Sequence, residues 1–558
     1  MGRGRRGAGS TAGGALPEAE AVPLRVTEAG EASRRPHGDR SELDDPTVRD
    51  EPRQALLKAR FVEVEDEERL AVDELARGQE PAGDRRLRDG GRVETQVGSS
   101  RPGGARRGPT ERLAEEAGGA LQIARRDLEM TDRQPHRGPN LSHAGPGADV
   151  ALPGGFSIAT DPATGLASWS PATLGELVAH LAGPGATGLA AIPDDALLAA
   201  WSETVERFRD PEGDERQALA EGLAARTGLS PRGLAAALET MLAGVARQPA
   251  ARLLARAAPL VAPSPALVVL AGNLPALGLQ PLLPALALRR PVLLKSPTAE
   301  PLFLPAFVRT LAARLPALGD GIAVACWRGG DAALEAPVLA AVGRVLAYGD
   351  APALADLERR APGKVIGHGP KASLALVGVD ADLAAAAAGL ARDVALFDQR
   401  GCLSVHAVYC AAPAEELAAR LADALRRLAA ELPPGAPSLA ASAAVRQLRE
   451  EAALRGLAMP PLDFALGTVV VEPRPDFRPS PGMRTVRVHP VGGLSAAVAA
   501  LAPWRELLQG VSLAGAEAWA QRDGLTALGV SRVAAPGELQ SVDAAWANGG
   551  IDPLVALS

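Results

Sequence analysis

From about residue 156 onward, short continuous apolar runs alternate with longer stretches of amphipathic, helix-like spacing. Four such runs occupy residues 266–271, 291–295, 321–327 and 344–348, and the intervals between them have helical periodicity. Strands that are apolar on both faces and alternate with helices form a parallel sheet covered on both sides. The pattern therefore predicts an α/β fold whose first unit has the architecture of a nucleotide-binding domain.

A second set of apolar runs predicts another α/β unit beginning near Ser373. Its strands are expected at 373–378, 404–410, 464–471 and 485–491, with a helix over 412–432. Ahead of the first unit, amphipathic helices are predicted over 174–181, 215–226 and 230–246. We see no internal repeat.

Residues 1–150 differ in composition from the rest of the chain. They contain one aromatic residue, Phe61, among many Arg, Glu, Asp, Gly and Pro residues. Such a segment buries too little apolar surface to offset the entropy of ordering, so we predict a disordered tail. Two explanations remain open: a functional tail, or a start codon assigned too far upstream, with Met130 as a candidate true start.

Composition limits the classes of partner and compartment. The chain has 558 residues, a net charge of -7 and three cysteines without CxxC spacing. Without a basic excess, nucleic acid is not an expected partner. Apolar runs are far shorter than the roughly 20 residues that cross a bilayer, so no membrane span is expected. Few cysteines favour a reducing compartment, and we expect the cytoplasm.

Three polar residues lie at predicted turns or strand ends where chemistry is possible. Cys402 is in a short turn between a helix and a strand, where backbone N–H groups can lower a thiol pKa and stabilise an oxyanion. Asn273 follows a strand and offers a neutral amide donor. Lys295 ends the next strand, where an ammonium can bind ribose hydroxyls or a phosphate. Each signal taken alone also fits an ordinary structural residue, and Cys326 and Cys410 are interpreted as strand core.

Their order and spacing resemble the aldehyde dehydrogenase superfamily and, within it, the LuxC-type acyl-CoA reductases. The resemblance covers roughly residues 155–558. It rests on these motifs: Ala271-Gly-Asn-Leu-Pro, Leu-Lys295-Ser-Pro-Thr, Tyr348-Gly349-Asp350, Gly367-His-Gly-Pro-Lys371-Ala-Ser373, Val379-Asp-Ala-Asp-Leu383, Gln399-Arg-Gly-Cys402-Leu-Ser404, Pro481-Gly-Met-Arg-Thr485, Gly529-Val-Ser-Arg532-Val, Pro536-Gly537 and Trp546.

The resemblance implies an aldehyde-dehydrogenase-like fold with a Rossmann-like cofactor domain at 151–372 and an α/β catalytic domain at 373–558. By position, Cys402 corresponds to the nucleophile and Asn273 to the side-chain half of the oxyanion hole. Lys295 corresponds to the lysine that binds the cofactor ribose, and Gly349, followed by Asp350, to the glycine turn near the cofactor. The family also implies a homo-oligomer.

Two departures from the superfamily bear on the reaction and the cofactor. Gly367 stands where aldehyde-oxidising members have a glutamate that activates water to hydrolyse the acyl-enzyme. Its absence favours acyl reduction to an aldehyde. Thr298 stands where NAD-selective enzymes often place a carboxylate, so NADPH is allowed and slightly favoured, with NADH as the alternative.

The sequence therefore predicts reduction of an acyl-CoA, with a fatty acyl chain, through an acyl-cysteine. His368 is a candidate proton donor or an ordinary loop histidine, and His406 is interpreted as structural. Other hypotheses are reduction of an acyl phosphate or an acyl-carrier thioester, and a non-catalytic interaction protein that retains the fold.

Overall fold

The structure is a computed structural model that describes residues 148–160, 166–272 and 274–558. The predicted disordered tail falls outside the described residues except for its last three positions. Asn273 and the proposed start at Met130 also lie outside them. All three cysteines are described.

The first sheet has five parallel strands in the order β3-β2-β1-β4-β5. The order reverses beside β1, so β1 and β4 are neighbours although β2, β3 and several helices separate them in the chain. In open parallel sheets, ligands bind at the carboxyl ends of strands at such a reversal. The strands are Ala266–Val269 (β1), Val292–Ser296 (β2), Ile322–Cys326 (β3), Arg344–Tyr348 (β4) and Val365–His368 (β5).

Helices precede the first sheet and alternate with its strands. Buried apolar residues on their inner faces pack against the sheet, as with Trp201 and Phe307, whose ring centroids are 5.3 Å apart. Their bounds are Pro171–His180, Ala186–Ala190, Asp194–Arg209, Asp214–Thr227, Pro231–Ala243, Arg247–Arg256, Leu279–Ala287, Phe303–Arg314, Pro316–Gly321, Ala332–Ala341 and Ala351–Arg360, with a π-helical turn at Leu181–Gly185.

The second sheet has six parallel strands in the order β11-β10-β6-β7-β9-β8. The central strand β6 has a register shift against both of its neighbours, and each shift leaves extra residues bulged from the neighbouring strand. The strands are Ala372–Val377 (β6), Val405–Cys410 (β7), Thr468–Val471 (β8), Thr485–Pro490 (β9), Leu508–Ala514 (β10) and Arg532–Ala534 (β11).

The helices of the second sheet pack on both of its faces around a separate apolar core. Their bounds are Leu383–Ala395, Ala414–Leu428, Leu439–Leu454, Leu494–Ala500, Ala516–Trp519 and Arg522–Ala527, with 3₁₀ turns at Leu396–Gln399 and Ala502–Trp504. A last short helix, Pro553–Ala556, packs on the first core instead.

The last residues of the chain return to the first core. Ala544, Leu554 and Leu557 are buried with the residues that pack against β1 and β2. Ala544 N–H donates to the carbonyl of Gly244, which ties this C-terminal segment to the end of a helix in the first half. The C-terminal segment is therefore shared between the two cores, and the domain division proposed at residue 372 remains an interpretation of the sequence.

The predicted α/β fold with parallel sheets is confirmed, and all eight predicted strands are present within a few residues of their predicted bounds. The strands β5, β10 and β11 were not predicted. The strands β5 and β11 are short, with four and three residues. In β10, Gln509 and Gly510 interrupt the apolar run after Leu508.

Candidate active site

A cleft of about 1490 Å³ opens at the carboxyl ends of the strands of the first sheet and extends to the turn that contains Cys402. Gly272, which follows β1, and Gly349, which follows β4, line it on either side of the strand-order reversal. His368 at the end of β5 and Cys402 line the same cleft. The sequence-predicted motifs from both halves of the chain therefore converge on one site.

The turn before Cys402 has an unusual backbone. Phe397, Asp398 and Gln399 are three successive non-glycine residues with positive φ, at 58°, 49° and 63°. Each left-handed non-glycine residue costs about 1–3 kcal/mol, so such a turn persists only where its surroundings hold it. Strain of this kind is typical of functional sites.

Two side-chain clamps hold this turn against the loop that precedes β9. Arg484 is buried and donates to the Asp398 carboxylate from Nε at 2.9 Å and from Nη2 at 2.6 Å. Gln399 donates from Nε2 to the Val405 and Thr485 carbonyls, both at 2.7 Å, and accepts from Thr485 N–H at 2.8 Å. These contacts explain the Pro481-Gly-Met-Arg-Thr485 motif, because its arginine and threonine fix the turn.

Cys402 is half-buried at the wall of the cleft. Burial raises the pKa of its thiol to about 11, although the backbone N–H groups of Cys402 and Leu403 and the nearby Lys371 ammonium act to lower it. Gln509 Nε2 lies 3.9 Å from the sulfur. Cys326 and Cys410 lie buried within strands, as predicted.

The raised pKa gives a direct prediction for the ligand-free protein. Because the thiolate is the reactive form, alkylation of Cys402 by iodoacetamide is expected to accelerate about tenfold per pH unit from pH 7 toward pH 10. Intact-mass kinetics over that range, with Cys402→Ala to subtract other thiols, measure the profile. A plateau below pH 8 would contradict the protonated resting thiol.

Lys295 ends β2 but does not line the cleft among the described residues. It is buried, and its ammonium lies 5.3 Å from the centroid of the Trp327 ring. Burial lowers the pKa of Lys295, which the Glu335 carboxylate partly offsets. Trp327 Nε1–H donates to that carboxylate at 2.9 Å, so the lysine occupies a polar pocket at the ends of β2 and β3.

Thr298, Gly349 and Asp350, which the sequence assigns to the cofactor, all line the cleft. Asp350 also caps the helix that follows β4, because its carboxylate accepts from Ala353 N–H at 2.8 Å. Arg226 lines the same cleft and donates to the Thr298 carbonyl at 3.2 Å, which the sequence did not indicate. A guanidinium therefore lies next to the position where NAD-selective enzymes often have a carboxylate.

Both candidate histidines line the cleft. His368 stacks on Tyr348 with centroids 4.9 Å apart, and burial lowers the pKa of His368 to about 4. His406 Nδ1 is 2.8 Å from Ser480 Oγ, and burial lowers the pKa of His406 to about 4. Both imidazoles are neutral at pH 7, so neither carries the positive charge that would make it a strong proton donor.

Several site residues were missed from the sequence. Asn548 in the C-terminal segment accepts from Gln509 Nε2 at 2.6 Å, and its side chain acts to lower the pKa of the nearby Tyr348 phenol. A polar residue inside the apolar run of β10 was the available signal for Gln509. Asn273, proposed as an oxyanion donor, lies outside the described residues, so that role rests on the sequence alone.

Comparison with known proteins gives a family and a fold. The family model described as acyl-CoA reductase (LuxC) matches residues 255–558. A long-chain acyl-protein thioester reductase from Aliivibrio fischeri is 28% identical over 201 residues, which span 34% of this chain and only 40% of that relative's length. Among the described residues, no helix is long and apolar enough to cross a membrane.

Solved structures of aldehyde dehydrogenases share the fold. A mutant of aldehyde dehydrogenase C from Pseudomonas syringae, in complex with NAD+ and octanal, matches with a TM-score of 0.54 and 15% identity over 72% of this chain and 90% of its own. An aldehyde dehydrogenase from Brucella melitensis biovar abortus matches with a TM-score of 0.54 and 16% identity, over 69% and 87%. An NADP-dependent enzyme of E. coli gives a TM-score of 0.55 and 15% identity, also over 69% and 87%. The predicted aldehyde-dehydrogenase-like fold is confirmed.

Proposed function

The chain belongs to the LuxC family of acyl-CoA reductases, and from that premise we propose that it reduces a fatty acyl-CoA to the aldehyde with NADPH or NADH. The observation that carries the proposal is the position of Cys402. Its half-buried sulfur lies on a strained, clamped turn in the same cleft as the strand-order reversal of the first sheet. A covalent acyl carrier at that place can receive a hydride from a bound dinucleotide.

Apolar side chains of the cleft support a fatty acyl substrate, since hydrocarbon gains roughly 0.8 kcal/mol per buried CH₂ group. They come from the first half of the chain and from the C-terminal segment, and include Met241, Leu277, Pro281, Val542, Ile551 and Leu557.

The carboxylates of the cleft support reduction over hydrolysis. No glutamate lines the cleft among the described residues, and its acids are Asp350 and Asp398. Asp398 is paired with Arg484, and Asp350 caps a helix. Gly367 stands where aldehyde-oxidising members of the superfamily have their glutamate, and an added Cβ there would lie 3.1 Å from the Leu354 side chain. Neither acid of the described cleft is therefore free to activate water against an acyl-enzyme.

The proposed reaction has two half-reactions. The Cys402 sulfur attacks the thioester carbonyl, the bond from carbon to the CoA sulfur breaks, and the thiol proton ends on CoA. The backbone N–H of Cys402, with Asn273 as proposed from sequence, stabilises the oxyanion. A nicotinamide held beside Gly349 and Asp350 would supply a hydride to the acyl carbon. The resulting thiohemiacetal oxyanion then expels the Cys402 thiolate, which releases the aldehyde.

The residues of the first half fit a dinucleotide. Glycines border the crevice at the strand-order reversal, and cationic groups lie nearby at Arg226 and, in the adjoining pocket, Lys295. We assign Thr298 and Lys295 to binding of the cofactor ribose and its 2′ substituent. We assign Gly349 and Asp350 to the turn that lies beside the cofactor.

Incubation with acyl-CoA alone tests the proposal. An acyl adduct on Cys402 in the intact mass, with stoichiometric release of free CoA thiol, is the expected result. A panel of acyl-CoA chain lengths with NADH or NADPH then gives the aldehyde. Absence of any adduct with all acyl-CoAs would contradict the proposal.

A second substrate class is favoured by the Aliivibrio relative, whose name specifies an acyl-protein thioester. The same chemistry applies, but the leaving thiol then belongs to a carrier protein. Acyl transfer to Cys402 from an acylated carrier, without transfer from acyl-CoA, would select this alternative.

Thr298→Glu is expected to shift cofactor use toward NADH. A carboxylate at this position binds the ribose diol and repels a 2′-phosphate, so kcat/KM for NADPH should fall about tenfold or more relative to NADH. Steady-state kinetics with both cofactors measure the ratio. Thr298→Val is the matched control, since it removes the hydroxyl without adding charge, and an equal change in that variant would contradict the electrostatic cause.

A further inference from the structure

Gln509 lies where the ladder between β6 and β10 is irregular. Leu508 pairs with Ala372 and Val511 pairs with Leu374, so Gln509 and Gly510 together oppose Ser373. Bulges of this kind redirect side chains and are common beside active sites. The bulge brings a fully buried amide from the second residue of β10 to within 3.9 Å of the Cys402 sulfur.

The contacts of this amide orient it. Gln509 Nε2 donates to Asn548 Oδ1 at 2.6 Å and lies 3.9 Å from the Cys402 sulfur. Asn548 in turn interacts with the Tyr348 phenol at the end of β4 and acts to lower its pKa. The chain of contacts runs from the first sheet through the C-terminal segment to the reacting sulfur.

The remaining polar atom of this amide is left unsatisfied. Gln509 Oε1 is buried and has no hydrogen-bond partner among the described residues. An orphaned acceptor costs about 1–3 kcal/mol, so the amide is not placed for stability. Buried polar atoms without a hydrogen-bond partner are found most often at functional sites.

We propose that the Gln509 amide is a third N–H donor to the Cys402 sulfur, beside the two backbone N–H groups. Asn548 and Tyr348 are positioning residues that hold the amide in this orientation. The donor acts twice: it stabilises the thiolate that attacks the acyl carbon, and it stabilises the same thiolate when the C–S bond of the thiohemiacetal breaks. The inference rests on the proposed function in taking Cys402 as the reactive thiol.

Other titratable groups line the same cleft. Lys371, before β6, and Tyr348, from β4, interact electrostatically with Cys402. His406 from β7 and Asp398 and Arg400 of the turn also line the cleft. Lys371 is anchored by donation from Nζ to the Glu506 carbonyl at 2.7 Å. Lys371, His406, Asp398 and Arg400 each have hydrogen-bond partners other than Gln509, so they stay in place when Gln509 is substituted.

The test is the pH profile of Cys402 alkylation by iodoacetamide in the full-length protein. Loss of one N–H donor to an anion is expected to move the profile of Gln509→Leu upward by about one pH unit, or about tenfold slower alkylation at pH 8. Gln509→Glu should move it further upward because a carboxylate then faces the sulfur. Asn548→Leu should give a smaller shift in the same direction.

Gln540→Leu is the matched control. Its amide is also buried beside the turn, but Nε2 donates to the Asp393 carbonyl at 2.7 Å and not to the sulfur. Its profile should superimpose on that of the wild type. An unchanged or lowered profile in Gln509→Leu, or an equal shift in Gln540→Leu, would overturn the inference.

The experiment is independent of turnover. Alkylation needs neither acyl-CoA nor cofactor, so a failure of the proposed reduction leaves its result readable. Should Gln509→Leu unfold, Asn548→Leu carries the same test, because it removes the acceptor that orients the Gln509 amide. An unshifted profile in folded Asn548→Leu would also overturn the inference.

Discussion

Cys402→Ala is expected to abolish aldehyde formation, with turnover lowered by about four orders of magnitude or more. Removal of a covalent nucleophile typically leaves only the contribution of binding and electrostatic stabilisation to the rate. Because alanine retains the backbone N–H groups of the turn, acyl-CoA and cofactor should still bind. The measurement is single-turnover aldehyde formation together with the intact mass after acyl-CoA addition, in which the adduct should be missing.

Cys410→Ala is the matched control for this substitution. Cys410 is buried in β7, and its thiol donates to the Ala412 carbonyl at 3.3 Å, away from the cleft. Its loss should lower stability by roughly 1 kcal/mol and leave acylation within a few-fold of wild type. An adduct that persists in Cys402→Ala, or disappears in Cys410→Ala, would assign the nucleophile elsewhere.

Arg484→Met is expected to lower both the stability and the activity of the protein. Breaking a buried ion pair by removing one partner costs about 3–5 kcal/mol, since the other charge stays buried without compensation. Here the remaining Asp398 belongs to the left-handed turn, which loses its main clamp. Acylation of Cys402 should therefore slow strongly even under conditions where the variant is folded. Urea unfolding and the rate of acyl-adduct formation measure the two effects.

A double variant separates the two effects. Asp398→Asn combined with Arg484→Met removes both charges, while asparagine still tolerates the left-handed backbone and accepts from Gly435 N–H. Much of the stability should return, but acylation should stay slow. Arg420→Met is the surface control: its pair with Glu416 is about half exposed and should contribute no more than ~0.5 kcal/mol. Full recovery of acylation in the double variant would show that the clamp does not position the nucleophile.

The fold was predictable where local pattern alone determines structure. The apolar runs at β1 to β4 and β6 to β9 gave the parallel strands, since a strand buried on both faces needs little else to be recognised. The strand β10 was not predicted because Gln509 and Gly510 interrupt its apolar run, and the bulge that accommodates them depends on the neighbouring strand.

The sequence predicted which residues lie together in the candidate site. It did not predict the contacts that fix their conformation. The order of motifs indicated that Cys402, Thr298 and Gly349 belong together, and they line one cleft. The left-handed turn could not be predicted, since its clamps come from 86 residues further along the chain. The burial of Lys295 could not be predicted either. A long side chain near a strand end can turn toward whichever charged or aromatic group lies close to it in the fold.

The hydroxyl of Ser373 accepts from Gly510 N–H at 3.0 Å and donates to the Cys402 carbonyl at 2.8 Å. One oxygen on the central strand thus sets the spacing of the two chain segments that carry the sulfur and the amide. Because this oxygen belongs to the middle of a six-stranded sheet, the spacing is fixed by the sheet and not by the loops that line the cleft. The most rigid part of the second half of the chain therefore determines how far the sulfur lies from the amide.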